Sequence, residues 1–372
     1  MSGRIIALLL GVIAAFAALA PLPARAEGRT ITAYTEVTKW GQMPGAFEIR
    51  GQALPGDVDA ADFAIAGEAS AWGATENHPF SCDVAAVEAT PDGWRLIPER
   101  FPDKYFYVRA MDVTCEAHPE LSFTLSDIGG TVTPTADDFT WLEDADHGLN
   151  ARVFACAAEG PQPVVIVFHG YGDTDNLLTY RTAVAWAEPA AQAVRPCTVI
   201  APVIESGPYF YPHLRRGIHE GIIACIDGLI AEGKADPDRV YAMGNSFGGM
   251  AALELAEQYP DRIAAVLALC PALNYADQVQ EDLPLLAGKP VFIAQAEHDE
   301  TIPVDVGRAA AQALLDAGSG NVLLKIYTDE EMTASGAALG FSETYSFHHV
   351  ELAVMEDASY AEWLFSQRLS DQ

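Results

Sequence analysis

Basic residues are scarce in this chain. Lysine and arginine number 21 against 52 aspartates and glutamates, a formal charge of −31 over 372 residues. A surface that acidic repels nucleic acid and anionic lipid, so neither is expected as a partner. Past the first twenty residues no apolar run is long enough to cross a bilayer. There is no C-x-x-C pair and no H-E-x-x-H stretch, which removes the usual zinc-ribbon, dithiol and metallohydrolase patterns. Adjacent His348 and His349 seldom both reach one ion, and no metal or organic cofactor is expected. No internal repeat is visible.

What is present begins with a charged start (Arg4), an apolar run from Ile5 to Ala20, and Ala24-Arg25-Ala26 before Glu27. That is the layout of a secretory signal peptide over residues 1–26, so a periplasmic or secreted protein is expected, with no membrane span after cleavage. The remainder is longer than one core usually organises, so two domains are expected. Six cysteines, an even count in an exported chain, favour disulfides.

Residues 27–136 lack helical periodicity. Short alternating runs, such as Thr30 to Val37, Trp94 to Ile97, Tyr105 to Ala110 and Leu121 to Leu125, are punctuated by turn residues. This spacing predicts a β-sandwich of immunoglobulin-like type. Gly129 to Ala136 reads as a linker. From residue 137 to 372 the pattern changes to buried strands alternating with helices, including one helix from about Leu177 to Val194 and another from about Arg216 to Glu232. Such alternation gives an α/β domain with a doubly wound, mostly parallel sheet, whose ligands bind at the carboxyl ends of the strands.

The chemistry centres on Gly244-Asn245-Ser246-Phe247-Gly248, a G-x-S-x-G box between a short strand and a helix. Such a corner exposes a serine hydroxyl above the sheet, and the helix start behind it suits a developing oxyanion. A serine hydroxyl is a poor nucleophile without a base beside it and an acid orienting that base. In this order of elements the acid follows a later strand and the histidine comes last. Asp299 sits just past strand Val291–Gln295, with Glu297, Glu300 and Asp305 as fallbacks. The base is His348 or its neighbour His349. After strand Val164–Phe168, the glycines of His169-Gly170-Tyr171-Gly172 let the loop fold close to the serine. The N–H of Tyr171 then joins that of Phe247 as the oxyanion hole. His169 is expected to hold this loop and to transfer no proton.

Residues from about 137 to 372 resemble an α/β-hydrolase. The phrases that carry this are His169-Gly-Tyr-Gly-Asp-Thr174, Asp238-Arg-Val-Tyr-Ala-Met-Gly-Asn-Ser-Phe-Gly-Gly249, Tyr259-Pro-Asp-Arg262 and Asp299-Glu-Thr-Ile-Pro303. The chain is most similar to secreted esterases of the polyhydroxybutyrate-depolymerase and feruloyl-esterase type, and to carboxylesterases preceded by an immunoglobulin-like domain. The resemblance implies an exported serine hydrolase that cleaves small-molecule or polymeric carboxylic esters through an acyl-enzyme on Ser246. Asp299 and a late histidine would complete the triad. The sequence departs from the family at that histidine, because about twenty residues separate it from the last strand. Spacing to Trp363 favours His348, and His349 stays open. The resemblance also implies that the strand carrying Cys156 lies antiparallel beside the one starting at Cys197, which would allow a disulfide. Tyr209, Phe210 and Tyr211 follow a sheet strand and either line the substrate pocket or pack their loop on the core. The stretch Glu330 to Phe347 is either a small lid or a surface loop. A prolyl-oligopeptidase-like peptidase, which shares the triad, is the alternative reading.

Overall fold

The structure is a computed structural model. It describes residues 28–372 except 40, 52–53, 71–75, 100–106, 173–176, 179–180, 336–338 and 341–344. The segment read as a signal peptide lies outside the described residues.

The first half is built of strands: β1 (Thr30–Thr38), β2 (Gly41–Arg50), β3 (Phe63–Ser70), β4 (His78–Thr90), β5 (Gly93–Pro98), β6 (Tyr107–Cys115), β7 (Phe123–Thr124) and β8 (Gly130–Val132). Alternation drives them. Along β1, Ile31, Ala33, Thr35 and Val37 are buried while the residues between are not, the period-two pattern of a strand with one covered face. The strands join in the order β7-β6-β3-β4-β5-β2-β1-β8. Strand β4 pairs with β3 through Asp83 and with β5 from Val84 onward, so one long strand serves both groups. Their inner faces meet in a core where the Phe47 ring of β2 packs 5.4 Å from that of Phe123 on β7. The stretch read as a linker is partly structured. Gly130 to Val132 pair in parallel with Thr32 to Tyr34 and form the edge of this sheet. A three-residue strand is too short to announce itself by alternation.

The second half holds β9 (Thr140–Asp144), β10 (Leu149–Phe154), β11 (Gln162–Phe168), β12 (Thr198–Pro202), β13 (Ala235–Asn245), β14 (Ala265–Leu269), β15 (Val291–Ala296) and β16 (Val322–Tyr327). Their order is β16-β15-β14-β13-β11-β12-β10-β9. The six strands from β16 to β12 are parallel, and the hairpin β9–β10 adds the antiparallel edge. Strands covered on both faces need apolar side chains at every position. Accordingly Val164, Ile166 and Phe168 enter one buried layer, and Val165 and Val167 the other. The helices Pro212–Ala231, Phe247–Gln258 and Val304–Asp316 cover the first layer, and Val350–Met355 and Ala358–Ser366 cover the second.

Two helices differ from the sequence reading. The single helix expected over Leu177 to Val194 is two short ones, Val184–Ala187 and Pro189–Val194. The ring of Pro189 forces the residue before it out of the helical region, and Glu188 has ψ 141°. The next helix starts at Pro212, earlier than apolar spacing indicated, because proline is well placed at a first helical position. The doubly wound sheet is otherwise as expected, and the ends of β11, β13 and β15 bring the candidate residues to one edge.

Candidate active site

The central strand β13 ends at Asn245, and the helix Phe247–Gln258 starts two residues later. Ser246 is the hinge between them. It adopts φ 56° and ψ −120°, a conformation side chains avoid, and its surroundings hold it there. Its N–H donates to Leu269 O (2.8 Å), and its carbonyl accepts from Met250 N (3.1 Å) and Ala272 N (3.0 Å). The flanking glycines are required by close approach. A methyl on Gly244 would lie 2.5 Å from the Gly248 carbonyl, and one on Gly248 would lie 2.4 Å from Phe168 O. Strand, corner and helix therefore touch through backbone, which sets Ser246 over the end of the sheet.

Asp299 follows β15 and is 6% exposed. Its Oδ1 accepts from the N–H groups of Thr301 (2.8 Å) and Ile302 (2.9 Å). Its Oδ2 accepts from Gln295 Nε2 (3.1 Å), which also donates to Ile302 O (2.8 Å). Against this braced carboxylate lies His348, with Nδ1 at 3.0 and 2.9 Å from the two oxygens. The two histidines have different partners. His349 Nδ1 is 3.0 Å from Glu351 Oε1, and Glu351 is fully buried. Two of the three fallback acids are engaged elsewhere: Glu300 accepts from Phe347 N (3.1 Å), and Asp305 pairs with Arg308. Ser246, His348 and His349 line one cleft of about 200 Å³, together with Gly170, Tyr171, Asn245, Phe247 and Tyr275. No hydrogen bond joins Ser246 to His348 in this structure, and catalytic contacts of this kind tighten in the substrate complex.

Burial opposes a charge on His348, but the Cys270 sulfur and the Asp299 carboxylate outweigh it and raise its pKa above the ordinary imidazole range. Burial pushes the Cys270 thiol up to about 11.

The loop after β11 is pinned by His169, which is 3% exposed. Ile204 N–H donates to its Nε2 (2.8 Å), so its Nδ1 carries the proton and donates to Gly170 O (2.6 Å). Burial lowers its pKa to about 4. The folded protein therefore keeps His169 neutral where the unfolded chain, near 6.5, already takes a proton. Stability is lost as pH falls from 6.5 towards 4, by about 3 kcal/mol in all. Chemical denaturation across that range should show the slope, and His169→Gln should flatten it.

Phe210 is half exposed and its ring lies 5.5 Å from Tyr171 and 5.4 Å from Phe247, two rings of the cleft. Tyr211 stands apart, against His213 at 6.1 Å. The side chain of Tyr209 lies outside the described residues, as does much of the stretch read as a lid or loop. Tyr275, which sequence reasoning missed, closes the aromatic rim 5.5 Å from Phe247. Gln295 was also missed. Its signal was a polar residue in the otherwise apolar strand Val-Phe-Ile-Ala-Gln-Ala, four positions before the acid.

The cysteine expectation needs correction. All six cysteines are free. β10 does lie antiparallel to β12, with Phe154 opposite Val199, but Cys156 and Cys197 are not joined. Gln192 occupies both thiols: Cys156 Sγ donates to its Oε1 (3.4 Å), and its Nε2 lies 3.5 Å from Cys197 Sγ.

The phospholipase/carboxylesterase family profile matches residues 216–345. NocK, a protein of Nocardia uniformis subsp. tsuyamanensis whose name provisionally assigns it to the esterases, is 46% identical over 132 residues. That match covers 34% of this chain and spans 38% of the length of that relative. A solved thermostable esterase superposes with a TM-score of 0.66 at 21% identity, covering 91% of this chain and 99% of that one. Est1E from Butyrivibrio proteoclasticus gives a TM-score of 0.44 at 16% identity, over 62% of this chain and 99% of its own. The fold is that of the α/β-hydrolases. Residues 216–345 are similar to the phospholipase/carboxylesterase family, and the chain spans well under half the length of the esterase-named relative it matches. Among the described residues no helix is long and apolar enough to cross a membrane.

Proposed function

We propose that the protein is an exported serine hydrolase cleaving carboxylic esters, with Ser246 as nucleophile, His348 as base and Asp299 as the group orienting it. One observation carries this: the Asp299–His348 pair opens onto the same cleft as the strained Ser246 corner. In this reading Ser246 Oγ attacks the ester carbonyl carbon while His348 Nε2 takes its proton. Asp299 holds Nδ1–H and stabilises the imidazolium. The N–H groups of Tyr171 and Phe247 receive the oxyanion. The alcohol leaves with the proton from His348, and water then releases the acid by the same steps.

The test compares p-nitrophenyl acyl esters with aminoacyl-p-nitroanilides. Ester turnover with no measurable amide turnover is expected, and faster amide cleavage would favour the prolyl-oligopeptidase-like alternative. A fluorophosphonate probe should label the wild type at Ser246. No labelling of an active, folded sample would sink the acyl-enzyme.

Two further parts belong to this proposal. The division at residues 136/137 assigns the strands before it to an immunoglobulin-like sandwich. The pairing supports this, since β1-β2-β5-β4 and β3-β6-β7 follow the four-plus-three grouping of that fold, with β8 added beside β1. Export rests on the layout of residues 1–26. N-terminal sequencing of the mature protein should begin at Glu27.

A further inference from the structure

Among the described residues, two that are not glycine have a positive φ: Ser246, and Cys270 at 37°. A side chain held in that region is strained and persists where its neighbours over-determine it. Cys270 directly follows β14, with its N–H fixed on Ala294 O (2.7 Å) of β15. Its thiol is fully buried and donates to the carbonyl of His348 (3.3 Å). The result is a sulfur, a carboxylate oxygen and an imidazole nitrogen from Cys270, Asp299 and His348 that all lie within 4.8 Å of one another. The hydrolytic scheme uses the acid and the imidazole and has no role for the thiol.

We propose that these three residues form a binding site for a thiophilic divalent cation such as Zn2+, and that the cation switches the hydrolase off. This rests on the triad reading above. Thiolate, imidazole and carboxylate are the ligand types zinc takes, at about 2.3, 2.0–2.1 and 2.0–2.2 Å. At the tetrahedral angle those bonds put ligand atoms roughly 3.5 Å apart, so His348 Nδ1 and Asp299 must open from 2.9 Å while the sulfur draws in from within 4.8 Å. His348 lines the cleft and gives the cation its approach, and a water from the cleft supplies a fourth ligand.

The binding step is a ligand exchange. Cys270 gives up its thiol proton to solvent, and one metal–sulfur bond forms. The cation takes the place of the proton between His348 Nδ1 and Asp299, which are 2.9 Å apart. The displaced Nδ1 proton passes to Nε2, or to solvent where the ring already carries one there, so the ligated imidazole is neutral and protonated on Nε2. That is the nitrogen that must accept the proton of Ser246, so hydrolysis stops while the corner and the loops stay as they are. No redox change is involved.

The test is titration of the purified protein with Co2+, followed by Zn2+. Wild type should bind one Co2+ with a thiolate-to-cobalt charge-transfer band in the near ultraviolet, and Zn2+ should displace it. Cys270→Ser and Cys270→Ala should weaken binding by at least about 10–100-fold, the loss seen even for outer partners of metal ligands. They should shift the Zn2+ concentration that halves ester hydrolysis by the same factor, and a chelator should restore wild-type activity. The band does not require turnover, so it tests the site even if the ester reading fails. Absence of the band, or a band and inhibition unchanged in Cys270→Ala, would overturn the proposal. Circular dichroism of the variants separates loss of the ligand from loss of the fold.

Discussion

Ser246→Ala should leave a folded protein whose ester hydrolysis is at least ~10,000-fold slower than wild type, and His348→Ala should match it. His349→Ala should cost no more than about tenfold, since removing a neighbour spares the proton path. The contrast is the useful part. Both imidazoles line the cleft, their rings 5.9 Å apart, and each has a buried carboxylate on Nδ1. What distinguishes them is which carboxylate. Asp299 is braced by two backbone N–H groups and Gln295 at the end of β15, whereas Glu351 is two residues along from its own histidine. The acid limb of the kcat/KM profile should also sit above the usual imidazole range. With His348 raised, the base becomes neutral only at higher pH. Asp299→Asn should move that limb down as well as reduce kcat. Equal losses for the two histidine variants, with both folded, would reject the assignment.

The second large effect concerns stability. Glu254→Ala should cost about 3–5 kcal/mol in denaturant melts, because it strands a buried cation. Arg215, on the helix Pro212–Ala231, is 3% exposed and holds Glu254 with both arms of its guanidinium, Nη2 to Oε1 at 3.0 Å. Glu254 lies on the helix that starts at the serine corner, so the pair clamps two helices of one layer. Burial raises neighbouring Glu257 to about 9, so it is uncharged at neutral pH and does not compete for the guanidinium. The double variant Arg215→Met/Glu254→Leu should recover most of the loss, since two well-packed apolar groups replace a pair whose desolvation is costly. A double variant as unstable as Glu254→Ala would show that packing, and not charge, sets the effect.

Local signals were legible where they were strong and consecutive. The serine corner could be read because glycine spacing, strand and helix all fall within twenty residues. Asp299 could be read from its place after an apolar strand. Spacing to Trp363 favoured His348 but left His349 open, because adjacent residues point in different directions and only tertiary partners separate them. The break at Pro189 was written in the sequence and overlooked. β8 was hidden by its length. The cysteine pairing failed for a different reason: strand order brought the two backbones together as implied, but Gln192 holds both sulfurs, and no reading of strands would have placed that amide. Gln295 and Cys270 went unnoticed as partners of the acid and the base, since each reads as an ordinary residue of a buried strand.

The parallel pairing of Gly130–Val132 along β1 has a practical consequence for dissecting the molecule. A fragment ending before Gly130 would bare one side of β1, leaving its amides and carbonyls as a template for another copy. Such a fragment would self-associate. One that runs through Val132 keeps that border occupied, so any attempt to study the first sheet in isolation should retain those three residues.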